Sequence, residues 1–184
     1  MLTECGHGSN IGWFTVLAAS HNCAVTAFEP FPANLLLMHQ SIALNGLQES
    51  VVVEPVVATD RPDAALVLHE MPFAPTLGWV GMASDERFDK VPSTPVNSAR
   101  IDDIICRAQD RSCLDSLTVP LLKIDVEGCE LDVLSSAREL FSKATVLNML
   151  IEINPGDWSR CDPVRRPWRS KYHECCLDES WLNR

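Results

Sequence analysis

Four short stretches of the chain are apolar almost without interruption: Ala24–Phe28, Val51–Ala58 with Pro55 inside it, Val119–Ile124 and Val146–Ile153. A strand with one wet face alternates polar and apolar residues, whereas a strand buried on both faces does not. Segments of helical period separate these runs. Asn10–Ser20 carries Ile11, Phe14, Leu17 and Ala18 on one face, and Trp13 and Phe14 read as packing residues of that helix. Pro32–Leu44 has proline in its first turn and Asn45-Gly46 as its stop. Ser98–Ala108 has an Ile101, Ile104, Ile105 stripe, and Cys129–Ser142 turns Leu131, Leu134, Ala137 and Leu140 inward. Buried strands alternating with helices predict an α/β chain, with a mostly parallel sheet wound on both faces. Pro55 removes a ladder donor and predicts an edge or a bulge.

The stretch from Arg61 to Asn97 is less regular, with Leu66–Leu68 and Trp79–Gly81 as short strands of an excursion. Met71, Phe73, Trp79 and Met82 read there as a small satellite core, or as walls of a substrate pocket. Past Gly156 tryptophans are scattered among arginines, so the main domain is drawn over 1–156, with 157–184 as a C-terminal tail.

The chain has 184 residues and a formal net charge of −10, which argues against a nucleic-acid backbone as its main partner. The 46% of hydrophobic residues suffices for a buried core. No run approaches the ~20 apolar residues of a membrane span. Met1–Gly8 lacks the basic and apolar regions of a signal peptide, so a cytoplasmic setting is expected. None of the eight cysteines forms a C-x-x-C pair, and reduced thiols are the preferred reading.

Gly6, Gly8 and Gly12 lie in a loop, Gly6-His7-Gly8-Ser9-Asn10-Ile11-Gly12, that runs straight into the first helix. Glycines allow a tight turn and close backbone approach, and a helix start offers free N–H groups. Glu29 follows at the end of the next strand, where an acid can bind both hydroxyls of a ribose. A nicotinamide enzyme of the short-chain type would share the glycine spacing but needs a Tyr-x-x-x-Lys pair. Tyr172 is the single tyrosine, and position 176 is cysteine.

Four blocks resemble the FkbM-type methyltransferases. They are Gly8-Ser9-Asn10-Ile11-Gly12-Trp13-Phe14; Phe28-Glu29-Pro30 with Asn34; Leu122-Lys123-Ile124-Asp125-Val126-Glu127-Gly128-Cys129-Glu130; and Ile151-Glu152-Ile153-Asn154. Arg100-Ile101-Asp102-Asp103-Ile104 also looks like a segment of that family. The resemblance implies a Rossmann-like class I methyltransferase fold and S-adenosylmethionine as methyl donor. It also implies O-methylation of a hydroxyl on a small molecule or glycan. Gly6, Gly8, Asn10 and Gly12 would hold the methionine portion, Glu29 the ribose, and the Ala58-Thr59-Asp60 corner, with Asp60, the adenine. Two departures stand out. Gly6 occupies a position where the family has an acid, and only five residues precede it, so the first strand is expected to be short or truncated. They keep a second reading open: a truncated or degenerate homologue without catalysis.

Methyl transfer from a sulfonium is an in-line displacement that needs alignment and, for a hydroxyl acceptor, a base. Asp125 and Glu127 are the catalytic candidates, with Glu127 equally readable as a structural acid. Glu130 opens the next helix, where an acid suits the dipole, and is read as a cap. Asp125 and Glu127 have no evident third ligand nearby, so no metal is predicted.

Overall fold

Parts of the four apolar runs become strands of one parallel sheet. The computed structural model describes residues 2–5, 8–62, 64–71, 74–83, 92–106, 112–126 and 128–152, with the side chains of 2–5 and 74–77 outside that description. Its central sheet contains β1 (Leu2–Cys5), β2 (Val25–Phe28), β3 (Val51–Glu54), β10 (Leu121–Ile124) and β12 (Met149–Ile151). They run in the spatial order β12-β10-β1-β2-β3, every neighbouring pair parallel. The first strand has the same four residues' length as β2, β3 and β10, and it holds the middle of the sheet. Leu2 is paired with Leu121 on one side and Val25 on the other.

Neighbouring residues on a strand point to opposite faces, and here they enter different cores. Ala27 joins Met38 and Ile42 of helix α2 (Pro32–Leu44), with Val16 of helix α1 (Trp13–Ser20) packed alongside. Phe28, one residue on, joins Leu122 and Ile124 in the larger core. That core also takes Ile101 of α3 (Ile101–Ile105), Val133 of α4 (Glu130–Ser136) and Leu140 of α5 (Arg138–Lys143). β2 and β10 are therefore covered on both sides, whereas Val52 of β3 and Met149 and Leu150 of β12 stay exposed.

The excursion forms a separate antiparallel sheet of β5 (Leu66–Met71), β6 (Ala74–Met82) and β7 (Ser93–Val96), in the order β6-β5-β7. A satellite core does form there, but from Leu66, Leu68 and Val80 with Phe31 and Val57; of the four residues expected in it, Met82 packs against it. Trp79 stacks on the buried His69 at 5.1 Å between ring centres. Met71 faces outward, and Phe73 lies outside the described residues. Pro55 does mark an edge: it separates β3, the last strand of the main sheet, from β4 (Val57–Ala58), which pairs with β8 (Ser98–Ala99). Pro120 likewise splits the expected Val119–Ile124 strand into β9 (Thr118–Val119) and β10. The expected Val146–Ile153 strand divides between β11 (Thr145–Val146) and β12, and Ile153 lies outside the described residues. The tail at 157–184 lies outside the described residues.

Several helix expectations need correction. The first helix starts at Trp13, because Asn10 and Gly12 have φ of +46° and +88°, which no α-helix accommodates. Its buried face is Thr15 and Ala19, whereas Ile11, Phe14 and Leu17 are exposed and Trp13 is 73% exposed. The periodicity located the apolar stripe but not which side met the sheet. Cys129–Ser142 is two helices. Asp102, fully buried, accepts hydrogen bonds from the N–H groups of Glu139 (3.1 Å) and Leu140 (2.9 Å), and so starts a new helix after Ala137. Arg100 bridges the same carboxylate at 2.9 Å. A 3-10 turn at Ser112–Leu114 returns Cys113 to Cys106, with Cα atoms 5.9 Å apart, within the reach of a disulfide.

Removing Asp102 would strip a buried helix start of its acceptor and leave Arg100 without its partner. Asp102→Ala is expected to destabilise the fold by about 3 kcal/mol in chemical denaturation. Glu139→Ala, at the half-exposed Glu139–Lys143 pair, should cost under about 0.5 kcal/mol.

Candidate active site

The carboxyl ends of three adjacent strands, β2, β1 and β10, carry the residues the sequence singled out. In an open parallel sheet this edge, at the point where the strand order reverses, is where ligands bind. Beyond β1 comes the glycine loop, beyond β2 Glu29, and beyond β10 Asp125.

The described glycines of the loop are each required by contact or conformation. A Cβ on Gly8 would sit 2.4 Å from the Asp125 carbonyl oxygen, so the loop lies directly on the chain leaving β10. Gly12 has φ +88°, and a Cβ there would meet the Met38 side chain at 2.6 Å. It thus caps α1 while letting that helix approach α2. The Gly12 N–H closes the loop on the Ser9 carbonyl at 2.8 Å. Gly6 and His7 lie outside the described residues.

Glu29 is fully buried. Its Oε2 accepts the Asn10 N–H at 2.9 Å, and its Oε1 accepts the Phe31 N–H at 2.9 Å and the Asn34 side-chain amide at 3.3 Å. A buried carboxylate needs several donors, and these come from the loop and from the start of α2. Sequence reasoning paired Asn10 with Glu29 as two cofactor residues; the structure also bonds them to each other.

Asp125 is one-third exposed, and its Oδ2 lies 3.1 Å from the Lys123 ammonium. The same Nζ donates to the Gly8 carbonyl at 3.0 Å and stands 4.9 Å from the centre of the Phe14 ring. Lys123 was read only as a letter of its motif. The available signal was a cation in an otherwise apolar strand, which must be paired if that strand is central. Glu127 lies outside the described residues. Glu130 is buried, and its Oε1 accepts the Gly128 N–H at 2.8 Å, where Gly128 has φ +100°. It fastens the turn between β10 and α4, in keeping with a structural role.

Asp60 belongs to a neighbouring cluster. Its Oδ1 is 3.8 Å from Arg61 Nε, and Arg61 Nη2 reaches Asp132 Oδ2 of α4 at 3.3 Å. Thr59, Arg61, Cys129 and Asp132 line part of a hollow between β4, the antiparallel sheet and α4. Among the described residues no group of three or more His, Cys, Asp or Glu side chains could hold a metal ion.

Contact and conformation set the expected cost of each glycine. Gly8→Ala is expected to lower stability by about 2 kcal/mol or more, since the clash is with backbone that cannot swing away. Gly46→Ala, with φ +67° and open space around it, should cost only about 1 kcal/mol. Thermal and urea denaturation of the two variants measure the contrast.

The model of the methyltransferase FkbM domain matches residues 6–171, and so extends beyond residue 156. No curated protein and no solved structure matches the chain. Among the described residues no helix is long and apolar enough to cross a membrane. The family implies a Rossmann-like methyltransferase fold and S-adenosylmethionine as the methyl donor. With most of its length under that match, the chain belongs to the FkbM family of S-adenosylmethionine-dependent methyltransferases.

Proposed function

We propose that the chain is a class I O-methyltransferase that methylates a hydroxyl on a small molecule or glycan, with its cofactor at the carboxyl edge of β2, β1 and β10. The convergence of the glycine loop, Glu29 and Asp125 on that edge carries the reading. Its residues suit the group. Gly8 and Gly12 keep the loop free of side chains where backbone must come close, and Glu29 is a fixed carboxylate at a strand end. Gly6, Gly8, Asn10 and Gly12 are assigned to the methionine portion, Glu29 to the ribose and Asp60 to the adenine end.

When bound, S-adenosylmethionine supplies a methyl group on a positively charged sulfur that is ready to leave. The chain's task is then to hold the acceptor oxygen in line and to take its proton. Asp125 is assigned the proton-accepting role. Its carboxylate is steadied by Lys123 on one side and open to solvent on the other. Glu127 shares the catalytic assignment by its place in the same motif.

Titration calorimetry with S-adenosylhomocysteine tests the site without knowledge of the acceptor. The full chain should bind, and Glu29→Ala should weaken binding at least about ten-fold. Glu130→Gln, altering a side chain that fastens the β10–α4 turn, should leave the affinity within about two-fold. Equal losses in the two variants would mean that the ribose is held elsewhere. No binding at millimolar ligand would support a homologue without catalysis.

A further inference from the structure

Burying an unpaired ammonium costs several kcal/mol. Methionine or leucine at position 123 would fill the same place in β10 without that cost. Lys123 is nonetheless 5% exposed within a strand that is otherwise Leu, Leu and Ile. What it holds accounts for it. One nitrogen meets the carbonyl of Gly8, the carboxylate of Asp125 and the face of Phe14. These belong to the glycine loop, to the end of β10 and to the first turn of α1.

We propose that Lys123 is a positioning residue for methyl transfer: its ammonium straps the glycine loop to the end of β10 and fixes the Asp125 carboxylate beside it. The inference rests on reading that loop as the cofactor site. Lys123 acts through Gly8 and Asp125 and touches no reacting atom. The pair also sets the charge at the loop. With both present, ammonium and carboxylate cancel; with one removed, a unit charge remains. S-adenosylmethionine carries a positive sulfonium, and the product S-adenosylhomocysteine a neutral thioether. Removing either partner must therefore shift the preference between the two ligands, in opposite directions. Loss of packing alone weakens both ligands alike.

Titration calorimetry of the full chain with each ligand reads this directly, on the native protein, Lys123→Met, Lys123→Arg and Asp125→Asn. Lys123→Met should weaken S-adenosylhomocysteine about ten-fold, and Lys123→Arg should recover most of the loss. Relative to the native ratio, Lys123→Met should favour S-adenosylmethionine and Asp125→Asn should disfavour it, each by about three- to ten-fold. If Lys123→Met does not fold, Asp125→Asn, which alters a partly exposed side chain, carries the ratio test alone. A native chain that binds with an unchanged ratio in the variants overturns the positioning role and leaves the cofactor site standing. A native chain that binds neither ligand overturns both.

Discussion

Two buried charges of opposite sign hold the glycine loop from either side, and the site is organised around them. Glu29, at the end of β2, takes the Asn10 N–H. Lys123, near the end of β10, donates to the Gly8 carbonyl. Between them runs a loop whose glycines permit contacts that a methyl group would block. A charge inside a protein is tolerated only where donors or acceptors surround it. Each meets one backbone group of the loop, and the remaining partners are Phe31 and Asn34 for Glu29, Asp125 and Phe14 for Lys123. The loop's shape is thereby set jointly by its own glycines and by groups anchored on the strands.

That arrangement depends in turn on the sheet. β1 is the strand that brings the loop between β2 and β10. The alternation on β2 and β10 gives α1 and α2 one face and α3, α4 and α5 the other. On the α1 side Lys123 meets Phe14, so the strap and the helix packing share one surface. On the other side, Asp102 starts α5 from a distance in sequence, locking the helix pair that follows the Lys-Ile-Asp motif.

Much of this was legible in the sequence, for identifiable reasons. Continuous apolar runs signalled buried parallel strands, and Pro32 with Asn45-Gly46 bounded α2 at Pro32–Leu44. Glu29 stood out by following the glycine loop at the end of the next strand, and Asp125 by its place in the Lys-Ile-Asp-Val-Glu-Gly block. What escaped is what depends on long-range partners. The late start of α1 follows from the left-handed Asn10 and Gly12, and the latter's need for glycine comes from Met38 on another helix. The break at Ala137 follows from Asp102. The role of Lys123 follows from Gly8, more than a hundred residues away. The approach of Cys113 to Cys106 follows from a turn that no short motif announces.

The central claim is that one edge, formed by the loop, Glu29 and Asp125, receives the methyl donor. Backbone amide resonances of the isotopically labelled chain, recorded during titration with S-adenosylhomocysteine, test it most directly. The account predicts the largest shifts at Gly8–Gly12, Glu29, Phe31 and Asp125, with smaller ones at Thr59–Arg61. Shifts concentrated on the antiparallel sheet of β5, β6 and β7, with the Gly8–Gly12 amides unmoved, would contradict it.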